Sequence, residues 1–499
     1  MLQNTEANKT RFACDGKKEK LKACSWFLAG CEEKYAAEKG GAYFCAGMTP
    51  APLRLAGFTV RVFNQTNGMV KRSETKEKGL EIIPAYFLLF FIVLFANFTS
   101  LSIFINDFPF LRYLRQPVTL LSVLAVLHFF PYRGPKPGFR IPFNLFLFFS
   151  FYLFFNCLTS IDMANSVAYG LWLVAVFVFL YQLLVLRNGL SFRQMLYQFS
   201  SAAALVGMVF ISVSFVGAYV LGIERFFDER YNYSQMRMTT EFSGVFGSNN
   251  SIGILTWLTS VLLLLLFELS GRRTSRLIFM AGSAALTLLL FFIGNRASMA
   301  CGVVLWVIYF LWVYRSLLGL LTLSAGFAAG ILLYQDLVIE KLRLEQFEGG
   351  NVLGNRSALL GEALAVAGEM DFFGVGYHNQ RLSRKHFGLV SAGDKEYNFH
   401  NTYLAVVTEL GYPGLIWIPG VVMLALFRLP VYRKPPGEAR LLRMLKSILL
   451  VMLVFYLPVE DSVNSPGSPT FLIFWIFFFL LITGLGEKPQ DEEAVQAKG

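Results

Sequence analysis

Charge is scarce in this chain. Asp, Glu, Lys and Arg make up 15% of 499 residues, against 55% hydrophobic residues and 51 Phe, a balance too apolar for a soluble domain of this length. The shortage is deepest inside the long apolar runs, where Glu409 and His128 are the main ionisable groups. A proton- or ion-coupled transporter is expected to carry Asp, Glu, His or Arg relays within its bundle, so the composition disfavours that class. Histidine is rarer still, at four residues. The stretches expected to face outward hold no carboxylate and histidine cluster with metal-ligand spacing, and no Asp-x-Asp pair of the kind a metal-dependent sugar transfer would use. We therefore expect neither a metal nor another cofactor. Cysteine is sparse too. Four of the six, Cys14, Cys24, Cys31 and Cys45, lie in the first 80 residues at spacings that match no zinc pattern, and that tail has no signal-peptide layout.

What is present is a succession of apolar runs from about residue 82 onward. A bilayer core of about 30 Å needs about 20 apolar residues per helix, and the chain reads as an all-α polytopic membrane protein of about twelve spans. These fall at roughly 84–105, 117–132, 141–160, 166–186, 196–221, 249–268, 277–294, 297–313, 317–334, 401–427, 442–458 and 469–485. Residues 1–80 are expected to be a cytoplasmic tail, disordered or an extended start, 81–485 the membrane domain, and 486–499 a second cytoplasmic tail. Lys and Arg concentrate in alternate short loops, among them Arg187, Arg193, Arg272, Arg273, Arg276, Arg315, Arg440 and Arg443, which orients both termini inward. The net charge of +11 is mostly this bias plus the basic tail. With no soluble basic domain to hold it, we expect no nucleic-acid partner.

The two longest polar connections, about 222–248 and 335–400, are then outside, the second lying between spans nine and ten. Arginines gather there against the orientation rule: Arg225, Arg230 and Arg237 in the first, Arg296 in the tight turn "IGNRASM", and Arg356 opening "NRSALLGEALAVAGEM". Guanidinium forks suit phosphate oxygens, so this face suggests a phosphorylated substrate presented from the outer leaflet. Arg225 and Arg230 sit among Glu224, Asp228 and Glu229 and fit surface ion pairing equally well. Arg237 precedes the Gly, Ser and Asn run "EFSGVFGSNNSIG", which could wrap a headgroup, and Arg296 has almost no loop in which to snorkel. In the long loop, Leu359, Leu360, Ala363, Leu364, Ala367 and Met370 recur at helical spacing, predicting an amphipathic helix over the membrane opening. It ends at "DFFGVGYHN", where Gly374 and Gly376 permit a turn closed to other residues. His378 and His386, with Arg381, Arg384 and Lys385 nearby, read as solvated surface.

His400, at the mouth of span ten in "NFHNTYLAVVTELGYPG", is placed to act as a base toward an acceptor hydroxyl. Its spacing fits a capping or interfacial histidine just as well. Glu409 is about 13 Å further along the helix on the opposite face, so its plainer role is to satisfy backbone broken near Pro413.

These motifs carry a resemblance. "FHNTYLAVVTELGYPG" is similar to the signature of the O-antigen ligase and polymerase superfamily, a His followed by ten residues and a Gly at the start of a late transmembrane helix, matched by His400 and Gly411. "RSALL" resembles its Arg-x-x-x-Leu element, with Arg356 and Leu360, although members often carry Trp where Leu360 stands. "GVG", "GNRAS" and the stretch from Arg237 to Asn250 resemble further elements in the same order, and the likeness runs over residues 80 to 485. It implies metal-independent transfer of a glycan from undecaprenyl pyrophosphate to an acceptor at the periplasmic face of the bacterial inner membrane. His400 is then implied as base, and Arg296, Arg356 and Arg237 as pyrophosphate-binding residues. The acceptor implied is lipid A-core for a ligase or a growing glycan for a polymerase. A polysaccharide or solute transporter is the alternative from another class.

Overall fold

The computed structural model describes residues 85–99, 102, 104, 107–129, 140–185, 192–232, 237–333, 356–389, 399, 401–428, 436–458 and 468–486. The tail 1–80 with its four cysteines, the first part of the 335–400 loop, His400 and the tail beyond residue 486 lie outside the described residues, as do the side chains of Arg230, Arg237 and Arg356.

The described chain is mostly helical. Its helices are α1 (Ala85–Thr99), α2 (Leu111–Phe129), α3 (Arg140–Leu158), α4 (Met163–Val185), α5 (Phe192–Phe215), α6 (Asn249–Leu269), α7 (Arg273–Ile293), α8 (Arg296–Ile308) and α9 (Leu317–Leu333). Then come α10 (Arg356–Glu369), α11 (Gln380–His386), α12 (Thr402–Leu415), α13 (Val421–Arg428), α14 (Pro436–Val451) and α15 (Pro469–Gly486). Helix lies on every stretch read as a span. Five segments are long and apolar enough to cross a membrane: Met163–Leu183, Phe192–Val220, Asn249–Leu269, Arg273–Ile293 and Arg296–Val313. Several helices end in a π-helical turn, namely Val216–Val220 after α5, Tyr309–Val313 after α8, Ile416–Gly420 after α12 and Met452–Tyr456 after α14.

Helix α6 is the centre of the bundle. Thr256, Trp257, Leu258 and Val261 through Leu266 are all buried, and its neighbours are α5, α7, α8 and α14. Between α6 and α7 the contact is partly polar. Ser260 Oγ reaches Ser283 O at 2.8 Å and Thr287 Oγ1 at 2.8 Å, and Ser283 Oγ reaches Ser260 O at 2.8 Å. Small hydroxyl residues allow close approach of helices and supply hydrogen bonds that lipid cannot. Cys157 and Cys301 are buried, unpaired packing residues.

Two departures from the sequence reading are local. Helix α2 begins at Leu111, not near 117, and takes in Pro117 as its seventh residue, whose missing N–H cannot donate to Tyr113 O. Arg115 is therefore helical rather than a loop residue, and its guanidinium lies 4.6 Å from the Trp172 ring centroid. The connection after α5, expected as an irregular outer loop of an all-α fold, contains an antiparallel hairpin. Its strands are β1 (Phe227–Asn232) and β2 (Arg237–Phe242), paired from Phe227 with Phe242 to Asn232 with Arg237. Aromatic and Thr residues favour a half-buried pleated surface. The rings of Phe227 and Phe242 join Phe215 and Tyr219 from the end of α5, with Phe215 and Phe242 centroids 4.6 Å apart.

Candidate functional site

The site is built from a helix that cannot complete its own hydrogen bonds. Pro413 has no N–H, so the carbonyl of Glu409 loses its partner four residues on, and Gly411 leaves the helix altogether at φ 65°, ψ −171°. Exposed carbonyls at membrane depth must be satisfied from within the protein. The turn at Gly374–Gly376 does this. Val375 N donates to Thr408 O at 2.8 Å and Gly376 N to Glu409 O at 3.1 Å. Asn156 Nδ2, from the end of α3, donates to Glu409 O at 2.9 Å and to Phe373 O at 2.7 Å, while Asn156 Oδ1 accepts from Tyr377 N at 2.9 Å. The Tyr152 hydroxyl closes the set on Leu410 O.

Positive φ at Gly374 and Gly376, 77° and 97°, lets the loop backbone lie this close. The Glu409 side chain has a different task from the one expected. Its Oε1 accepts from Gln380 N at 3.3 Å, at the start of α11. The broken backbone is satisfied by Asn156, Tyr152 and the loop.

A second anchor lies beside this one. Asn379 is fully buried and its Nδ2 meets Ser160 Oγ at 2.6 Å and Ser166 Oγ at 3.1 Å, while Oδ1 accepts from Asn165 at 2.8 Å. The loop is thus fixed both to the α3–α4 turn and to α12. His378 sits between them and is not solvated surface. Its ring stacks on Tyr169 with centroids 3.6 Å apart, and its carbonyl accepts from Asn165 at 3.1 Å. Burial, then the charges of Arg381 and Arg115, push its imidazole down to about 4, so it is neutral at pH 7. The expectation failed because the nearby arginines suggested a wet loop, whereas Tyr169 covers the ring. Arg384 is buried, with Nε 2.7 Å from Glu362 Oε2 of α10; His386 is exposed.

Of the residues singled out from sequence, His400 falls outside the described set, but both neighbours are fixed. Phe399 is buried with Ala363 and Val366 of α10. Asn401 is the N-cap of α12, its side chain accepting from Leu404 N at 3.1 Å, and such capping satisfies one of the helix's free donors. Position 400 therefore directly precedes the first turn of α12, which packs against α10, the helix that Arg356 begins. The expected apolar face of α10 divides: Ala363 and Met370 are buried and Ala367 is half-buried, whereas Leu360 and Leu364 are exposed, and Val366, outside that face, is buried.

Arg296 is described and half-buried. It follows Asn295, the N-cap of α8, whose side chain accepts from Ser298 N at 2.8 Å and donates to Asn250 Oδ1 at 2.9 Å. Asn249 Nδ2 donates to Ile293 O. The structure thus joins the "GSNNS" run to the "GNRAS" turn, two regions read separately in the sequence. Arg237 begins β2, opposite Asn232. Arg225 forms an exposed ion pair with Asp107 at 2.9 Å. The start of α12 is tied to α14, with Thr402 N donating to Leu457 O at 2.8 Å, and the π-turn Met452–Tyr456 packs on α8. Among the described residues no group of three His, Cys, Asp or Glu side chains converges as metal ligands.

Fold and composition together define a mostly helical protein with several helices suited to a membrane. Comparison with known proteins finds no matching family and no similar curated protein.

Proposed function

We propose that the chain is a twelve-span inner-membrane glycosyltransferase that moves a glycan from undecaprenyl pyrophosphate to an acceptor hydroxyl, in the manner of an O-antigen ligase. The observation that carries this reading is the union of two motif elements. The break after His400, at Gly411 and Pro413, is filled by the Gly374–Gly376 turn, and α10, which Arg356 begins, packs on the helix that His400 precedes. On this reading the base and a phosphate-binding arginine belong to elements docked to one another, which is what a site that must hold its geometry requires.

In this reaction His400 takes the proton from the acceptor hydroxyl as its oxygen attacks the anomeric carbon. The glycosyl C–O bond to phosphate breaks on the opposite face, inverting the centre. The departing pyrophosphate carries the electron pair, and Arg296, Arg356 and Arg237 stabilise its charge. The acceptor is lipid A-core on the periplasmic side.

Complementation of a deletion strain tests the reading. Loss of the protein should remove the lipopolysaccharide ladder while lipid-linked polymer accumulates. A core bearing one repeat would indicate a polymerase instead, and an unchanged ladder with defective solute uptake would indicate a transporter.

A further inference from the structure

At the opposite end of α6 from Asn249, three arginines crowd one small area. Arg440 of α14 places Nη1 3.4 Å from Glu268 Oε2 and its guanidinium 5.3 Å from the Tyr314 ring centroid. Arg443, one turn on, has its Nε buried without a hydrogen-bond partner, and Arg315 directly follows the Tyr314 that Arg440 covers. Among the described residues one carboxylate, Glu268, pairs with this group, and its other oxygen already accepts from Tyr309 Oη at 2.5 Å. A phosphate group suits guanidinium forks and supplies the counter-charge that one shared carboxylate does not.

The position of Arg315 is built. Tyr314 N donates to Tyr309 O at 2.7 Å and Ser316 N to Phe310 O at 2.8 Å, closing the turn after α8. Ser316 Oγ then accepts from Gly319 N at 3.0 Å and starts α9. Arg315 lies between them at φ 56°, a conformation uncommon for a non-glycine residue and one that the surrounding bonds must hold. Next to it the surface is apolar: Trp312, Leu317, Leu318 and Leu321 are exposed. A cationic group bordering exposed aliphatic and indole side chains matches the two parts of a phospholipid, as at the membrane interface.

We propose that Arg315, Arg440 and Arg443 bind the phosphodiester of an anionic glycerophospholipid, whose acyl chains lie along Trp312, Leu317, Leu318 and Leu321. The site is independent of the glycan-transfer reading, being at the other end of α6. Arg272 and Arg273, exposed at the start of α7 on this same end, take no part in the Glu268 and Tyr314 contacts and provide the comparison.

Native mass spectrometry of the full chain in detergent, titrated with dioleoylphosphatidylglycerol, dioleoylphosphatidylcholine or inorganic phosphate, tests this. The anionic lipid should bind at least tenfold more tightly than the zwitterionic one. Arg315→Gln with Arg443→Gln should weaken it about tenfold, and Arg315→Gln alone, a substitution on an exposed turn, should weaken it severalfold without altering the melting temperature. Arg272→Gln with Arg273→Gln should leave it within about twofold. Equal loss in the two double variants, equal binding of both lipids, or complete displacement by millimolar inorganic phosphate would overturn the assignment.

Discussion

Gly374 and Gly411 meet backbone to backbone. A Cβ on Gly374 would stand 2.5 Å from Gly411 N, and one on Gly411 would stand 2.8 Å from Gly374 N. Gly411 also occupies a region of backbone space essentially closed to other residues. Gly411→Ala should therefore cost on the order of 3 kcal/mol and lower the melting temperature in detergent, with glycan transfer lost. Gly361→Ala gives the comparison, since nothing lies within 4 Å of a Cβ there, and it should be milder. Similar stability of Gly411→Ala and the native chain would refute the docking of loop on helix.

Asn156 bridges three segments through one amide, donating to Phe373 O and Glu409 O and accepting from Tyr377 N. Asn156→Ala should destabilise by about 2 kcal/mol, because Phe373 O and Tyr377 N lose this partner and Glu409 O is left with Gly376 N. Asn156→Asp should be no better, since a carboxylate keeps the acceptor and places negative charge against both carbonyl oxygens. Recovery of native stability in the Asp variant, measured by thermal unfolding, would contradict the bonding described.

The half-buried imidazole of His378, stacked on Tyr169, gives the stability a pH dependence. Its folded value, about 4, lies below the ordinary value of about 6.5, so between these limits the unfolded chain binds more protons and stability falls as pH falls. The loss begins near pH 6.5 and is complete below about 4. His378→Asn, which tolerates the same positive φ, should flatten the melting temperature between pH 7.5 and 5 relative to the native chain. Identical slopes for the two proteins would argue against a His378 shielded by Tyr169.

The sequence revealed the helices, because long apolar runs have few alternatives, and it revealed the turn bearing Arg296. It did not reveal what fills the helix break. Gly411 and Pro413 announce that carbonyls are freed, but the groups that satisfy them come from Asn156 and from residues 375 and 376, far away in the chain. A lone amide in the apolar run "FYLFFNCL" was the available signal, since such a group must find partners. The hairpin at Phe227–Phe242 was hidden by its charged residues, and His378 by the arginines around it. Burial there depends on Tyr169 of α4, which local sequence cannot report.

The most direct measurement is transfer by purified His400→Ala protein, assayed with undecaprenyl-pyrophosphate glycan and lipid A-core in the presence of a chelator. The native chain should transfer undiminished under chelation. His400→Ala should lose at least about a hundredfold in rate, as expected for a general base, and Arg296→Ala should weaken donor use strongly. Transfer at the native rate by His400→Ala, or native activity that requires added divalent metal, would contradict the account.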